Sequence, residues 1–340
     1  MGPKRWESGA FWLSLWSMEF RKVIPIPLME PKYSRSDRIT LWGSCFASEL
    51  ADYLEQDLYP VTRSPFGILY NPLSIARGLA RILEGEEPCG EELFCHEGAW
   101  HSFMHHGSFS SEKREEALAR MQAAFRAGRE GLLGSKLLVL TLGTAYVYTT
   151  KEGEVVNNCH KLPASAFERR RVSVDEVVAA LGPVLTGLLT QCPDLRVLLT
   201  VSPIPHYADG AHESRLSKST LLLAVDELTR SPRVNYFPSY EIMQDELRDY
   251  RFYREDYAHP SAEAVAYIML RFRKAYLTRE TIPEWEKLKK LLQHRPLTDS
   301  EAKRREHYRR LLERLESFAQ KNPHPYLQSE ITRLKNHIIA

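Results

Sequence analysis

The chain is short of several things, and each shortage excludes a class of protein. Among 340 residues there are five cysteines, Cys45, Cys89, Cys95, Cys159 and Cys192, an odd number at scattered spacings. Such a set builds no disulfide framework and points to a reducing, cytoplasmic compartment. Cys89 and Cys95 lack zinc-ribbon spacing, and no second pair follows them. Charge of one sign is missing as well: the formal net charge is +2, so no global field recruits nucleic acid or a membrane surface. No apolar run is long enough to insert stably in a bilayer, and there is no internal repeat or low-complexity segment. What remains, 43% hydrophobic and 26% charged residues, is the composition of a globular protein. The length suits one large α/β domain with an appendage.

The first residues stand apart. Lys4-Arg5 precedes Gly9-Ala-Phe-Trp-Leu-Ser-Leu-Trp16, a basic start followed by a short apolar run. The run is short for a signal peptide and no clear small-residue cleavage site follows. Residues 1–17 are therefore read as a poorly ordered leader, with export through it as the alternative.

Two stretches carry chemistry. The first is Ile39-Thr-Leu-Trp-Gly-Ser-Cys-Phe, a buried strand running straight into a helix whose Leu50, Tyr53 and Leu54 share one face. Gly43 suits the sharp joint. Ser44 falls at the helix amino end, where free N–H groups and the helix dipole favour negative charge. A serine nucleophile there would form its oxyanion beside those donors; the plainer reading is an N-cap. The second stretch is Asp256-Tyr-Ala-His-Pro-Ser261, just ahead of an apolar-rich helix. An Asp three residues before a His can fold back onto the imidazole and fix its tautomer, or both can be solvated loop residues.

Gly43-Ser-Cys-Phe-Ala47 together with Asp256-x-x-His259 resembles the GSCFA family, within the SGNH (GDSL-type) hydrolase superfamily. Phe66-Gly-Ile-Leu-Tyr-Asn-Pro72, Thr141-Leu-Gly-Thr-Ala145, Asn158-Cys-His-Lys161, Val201-Ser-Pro203 and Asp245 to Tyr253 extend the match in order over residues 19 to 275. The resemblance implies a flavodoxin-like three-layer α/β/α fold with a central parallel sheet. It also implies a catalytic triad of Ser44, His259 and Asp256, and Gly67 as the oxyanion-hole glycine; a plain turn glycine is the alternative. One departure stands out: the wider superfamily has an Asn where this chain has Ala145. Thr144 is a substitute hydroxyl donor, or Asn71 or Asn158 reaches in from another loop.

The rest of the chain alternates strands and helices. Residues 136–143 and 195–202 read as buried parallel strands; residues 112–130, 174–189 and 214–228 read as helices, the second kinked or split at Pro183. Residues 155–161 read as a strand or extended loop, with His160 and Lys161 candidates for polar substrate contacts or else solvated loop residues; Asn71, Asn158 and His206, the last on a loop at the same edge, are further substrate-binding candidates. Residues 85–110, rich in His and aromatics, have neither a helical ligand pair nor a carboxylate set. They read as a substrate-lining or packed loop, with no metal expected. From 280 the chain turns basic, with 13 Lys+Arg against 9 Asp+Glu. It places Tyr308, Leu311, Leu312, Leu315 and Phe318 on one stripe. The expected organisation is a leader (1–17), a hydrolase domain (18–279) and a helical C-terminal extension (280–340).

The expected activity is cofactor-free hydrolysis of an O-acyl ester, on a small molecule or a carbohydrate, through an acyl-enzyme. The alternatives are an O-acyltransferase passing the acyl group to a sugar hydroxyl, and a non-catalytic carbohydrate-binding or scaffold protein.

Overall fold

The computed structural model describes residues 22–293 and 300–339, so the leader lies outside the described residues. Its first unit is strand β1 (Ile39–Gly43) followed by helix α1 (Cys45–Gln56). Next come β2 (Val61–Arg63), α2 (Pro72–Glu84), a hairpin of β3 (Leu93–His96) and β4 (Ala99–Ser102), and α3 (Arg114–Leu133). Strand β5 (Leu137–Leu142) leads into β6 (Tyr146–Thr150), β7 (Val155–Val156) and β8 (Phe167–Arg171). Then follow α4 (Val174–Gln191), β9 (Arg196–Val201), α5 (Gly210–Leu228), β10 (Val234–Tyr236) and α6 (Ala262–Tyr276). Three helices end the chain: α7 (Pro283–Gln293), α8 (Glu301–Lys321) and α9 (Pro325–Ile339).

The main sheet runs β10-β9-β5-β1-β2, and every neighbouring pair is parallel. Counting only these strands, the order is 2-1-3-4-5, the flavodoxin-like winding. Its cause is visible in β5, where all six residues of Leu-Leu-Val-Leu-Thr-Leu are buried, as a strand covered on both faces must be. Leu138, Leu140 and Leu142 face a core shared with α2, α3, α4 and α5. Leu137 and Val139 face the opposite core with α1 and α6. That alternation makes the three layers.

Helix α4 runs through Pro183 as one element, so the expected split does not occur. Small antiparallel sheets, β3-β4 and β7-β6-β8, decorate the carboxyl side. The C-terminal helices form their own core around Trp285, Leu315, Phe318, Leu327 and Leu334, with Leu58 of the main domain built into it. Leu311, Leu315 and Phe318 are the buried part of the anticipated stripe. The extension is further tied down at Asp57, a buried carboxylate paired with Arg273 and Lys289. His324 adds a hydrogen bond to the Tyr59 carbonyl at 3.0 Å.

Candidate active site

Ser44 sits where β1 ends and α1 begins, beside the carboxyl end of β5. This is the crevice between strands 1 and 3 of the winding, where the chain's direction of progress reverses and open α/β sheets bind ligands. The approach is possible because Gly43 takes φ +130°; a Cβ there would lie 2.1 Å from the Thr141 carbonyl oxygen. On the other side Gly143 comes close enough that a Cβ on it would be 3.2 Å from Ser44 Cβ. The Tyr70 carbonyl accepts the Gly143 and Thr144 N–H groups at 2.8 and 2.9 Å, which seats the 64–71 loop against this joint.

Ser44 occupies the N-cap position, yet its side chain makes no capping bond. Its Oγ is buried and has no hydrogen-bond partner among the described residues. A hydroxyl in that state carries the full penalty of lost hydration, so capping does not account for it. The Cys45 and Phe46 N–H groups, orphans of the first helical turn, likewise have no partner among the described residues. Cys45 itself turns toward the Tyr70 phenol, with Sγ 3.8 Å from the hydroxyl oxygen.

Asp256 and His259 meet. His259 Nδ1 lies 2.6 Å from Asp256 Oδ2, while Asp256 Oδ1 accepts the Ala258 and His259 N–H groups at 2.9 Å each. The two backbone donors and then the imidazole bring the Asp256 carboxyl down to about 2, so it stays ionised. Tyr257 between them adopts φ +54°, a left-handed conformation unusual for a bulky residue, and points its exposed ring outward. Arg254 braces this turn. Its N–H donates to the His259 carbonyl at 2.8 Å and its Nε to the Pro260 carbonyl at 3.0 Å. Its Nη2 reaches Glu49 of α1 at 2.7 Å.

His206 lies on the loop after β9. Its ring packs edge-on against Tyr70 with centroids 5.9 Å apart. Burial, and then the charge of Lys218, hold it down to about 4, with His259 a smaller contributor in the same direction. It is therefore a neutral imidazole. Ser44 and His259 are not hydrogen-bonded to each other in this structure. Catalytic hydrogen bonds commonly tighten only with substrate present.

The other candidates are distributed differently. The Gly67 N–H donates to the Ser64 carbonyl at 3.2 Å. Its φ of +80° and a virtual Cβ only 2.5 Å from His106 Cβ explain the glycine. Thr144 shares its hydroxyl with Ser217 at 3.1 Å and accepts the Tyr146 N–H. The Gly67 N–H is thus engaged within the fold, as is the Ser44 N–H, which bonds the Thr141 carbonyl at 3.0 Å; in the Thr144–Ser217 pair either hydroxyl can be the donor. Asn71 caps α2 through Oδ1, accepting from the Ser74 N–H at 2.8 Å, and its amide nitrogen has no partner among the described residues. Asn158 and His160 are spent locally: Asn158 Oδ1 accepts the His160 N–H, and His160 Nε2 meets the Ser102 carbonyl at 2.8 Å. Within residues 85–110 the stretch 93–102 forms the β3-β4 hairpin, with the His101 and His160 rings 4.5 Å apart. Among the described residues no three His, Cys, Asp or Glu side chains gather as metal ligands. Nor is any described helix long and apolar enough to cross a membrane.

A shallow cleft of about 360 Å³ opens beside Ser44's turn, between Ala47 and Ser48 of α1 and Gly67, Ile68 and His106.

The fold and the site define a three-layer α/β protein with a serine at the switch point of its parallel sheet and an Asp-His pair on the turn ahead of α6. The model of the GSCFA family matches residues 38–272, and the chain belongs to that family. Among solved structures it is similar to the Clostridium thermocellum family 3 carbohydrate esterase, at 9% identity and a TM-score of 0.33 over 72% of this chain and 95% of that one. No curated protein matches.

Proposed function

We propose that this protein is a serine ester hydrolase of the SGNH kind, acting on an O-acyl ester carried by a carbohydrate. The observation that carries this reading is the buried, unpartnered Ser44 Oγ at the switch point, together with a turn that holds an ionised Asp256 against His259. His259 Nε2 takes the Ser44 proton as Oγ attacks the ester carbonyl carbon. The carbonyl π electrons move to oxygen, and the Cys45 N–H and the Asn71 amide nitrogen are the donors left free to receive that charge. Collapse breaks the C–O bond, and the alcohol leaves with the proton from His259. Water, deprotonated by the same imidazole, then releases the acid and restores Ser44. Asp256 stays ionised throughout, fixing the Nδ1–H tautomer and stabilising the imidazolium. Attack requires His259 to close on Ser44 when substrate enters.

A carbohydrate suits the rim. Tyr257, two residues before His259, Tyr250, whose ring lies 5.9 Å from that of Tyr257, and Tyr207, next to His206, are 62%, 76% and 53% exposed, presenting flat faces with polar tips. The test is acid release from O-acetylated oligosaccharides by the purified chain. Hydrolysis that disappears in Ser44→Ala is expected. Release that depends on an added acceptor sugar would make it a transferase, and none under either condition would leave the scaffold reading.

A further inference from the structure

Beneath the site lies a buried cation without a carboxylate. Lys218 on α5 is 2% exposed, and its Nζ donates to the Gly143 carbonyl at 2.6 Å and the Ser202 carbonyl at 2.8 Å. It forms no ion pair among the described residues. Those two carbonyls end β5 and β9, so one ammonium group ties together the carboxyl edges of adjacent strands. The Gly143 peptide is also the one lying against Ser44 Cβ.

Holding an ammonium on two carbonyl dipoles in a dry interior is costly, and burial pushes the Lys218 ammonium down to about 7. A methionine would fill the same volume without that cost. Two titratable neighbours act with it. On α1 Cys45, the residue after Ser44, raises the Lys218 value against the effect of burial; on the loop after β9 the Lys218 charge helps hold His206 neutral. These are the titratable groups that act on it or feel it, and no carboxylate is among them.

We propose that Lys218 is the electrostatic floor of the site: it holds the ends of β5 and β9 in place beneath Ser44 and stabilises the negative charge that develops on the substrate oxygen during attack. It supplies part of what an asparagine at position 145 would have given. No bond to Lys218 forms or breaks, and its proton stays on Nζ. A fixed charge in a low-dielectric region acts over several ångströms and needs no reorganisation at the moment of reaction. This role rests on the esterase reading above.

The experiment compares wild type, Lys218→Met and Lys218→Gln on p-nitrophenyl acetate across pH, with thermal unfolding of each. Loss of an oxyanion-stabilising group typically lowers kcat by about 10²–10³. That loss is expected in both variants with KM little changed and, for Met, with Tm maintained or raised. In wild type, kcat should fall as pH rises above about 7, where Lys218 loses its proton, and the variants should lack that alkaline limb. If Lys218→Met does not fold, Lys218→Gln and the wild-type profile carry the test. Variants with wild-type kcat overturn the role of Lys218 and leave the esterase reading intact. A wild type inert toward the ester overturns both.

Discussion

Arg254 and Glu49 form an ion pair at 2.7 Å that joins the turn carrying His259 to the helix that begins behind Ser44. Both side chains are partly exposed, and such pairs contribute only about 0–1 kcal/mol to stability. Their significance is geometric, because the same guanidinium holds the Pro260 carbonyl. Arg254→Ala and Glu49→Gln should therefore lower kcat/KM well out of proportion to a small change in Tm. Equal activity in both variants would show that the turn is positioned without this brace.

Asp256→Asn keeps the shape of the turn and should still cost activity, because an amide at Oδ2 favours the wrong imidazole tautomer. His259→Ala should lose about 10²–10⁴ in rate, and the double variant should be little worse than the poorer single, since the pair acts as a unit. Asp256 also sets a stability trend. Its folded value is about 2, below the ordinary 3.8, so its contribution is complete above the ordinary value and is lost as pH falls through about 2. Acid unfolding of Asp256→Asn should lack that component.

Much of this was legible in the sequence, and the exceptions have physical reasons. The runs in β5 and β9 announce themselves because strands buried on both faces must be apolar throughout. Strand β8 does not: Phe167-Glu-Arg-Arg-Arg171 exposes four charged residues and borders only β6. The β3-β4 hairpin hid in a histidine-rich stretch, although Glu97-Gly98 between the strands, both at positive φ, is the two-residue turn that such hairpins use. At the site, Ser44, Asp256 and His259 could be nominated as candidates because their spacing to strand and helix ends is local. Lys218 and Arg254 could not. A lone lysine on a helix and an arginine in a charged loop read as solvent-facing until the fold shows what they hold. The oxyanion donors are hard to read for a related reason, since whether an N–H is free depends on which carbonyl the tertiary structure places against it.

The exposed tyrosines give a test of substrate class. Tyr250 and Tyr257 stand perpendicular, with centroids 5.9 Å apart. Stacking on a sugar ring would be lost in Tyr250→Ala and in Tyr257→Ala. KM for an acetylated oligosaccharide should rise in each while turnover of p-nitrophenyl acetate is unchanged. A parallel loss on both substrates would assign the rings to holding the Asp256–His259 turn.

Removal of residues 280–340 should leave a folded but less stable protein. The truncation exposes Leu58 and strips Lys289 from Asp57, yet Arg273 remains paired with that carboxylate. A chain that ends at Arg279 and does not unfold cooperatively would show that the extension completes the main core.

The central claim is that Ser44, and not its neighbour Cys45, is the nucleophile. Its most direct test is reaction of the purified protein with a fluorophosphonate, followed by mass spectrometry of the labelled peptide. One phosphonyl adduct is expected on Ser44, retained in Cys45→Ala and absent in Ser44→Ala. An adduct on Cys45, or equal labelling of the Ser44→Ala protein, would contradict it.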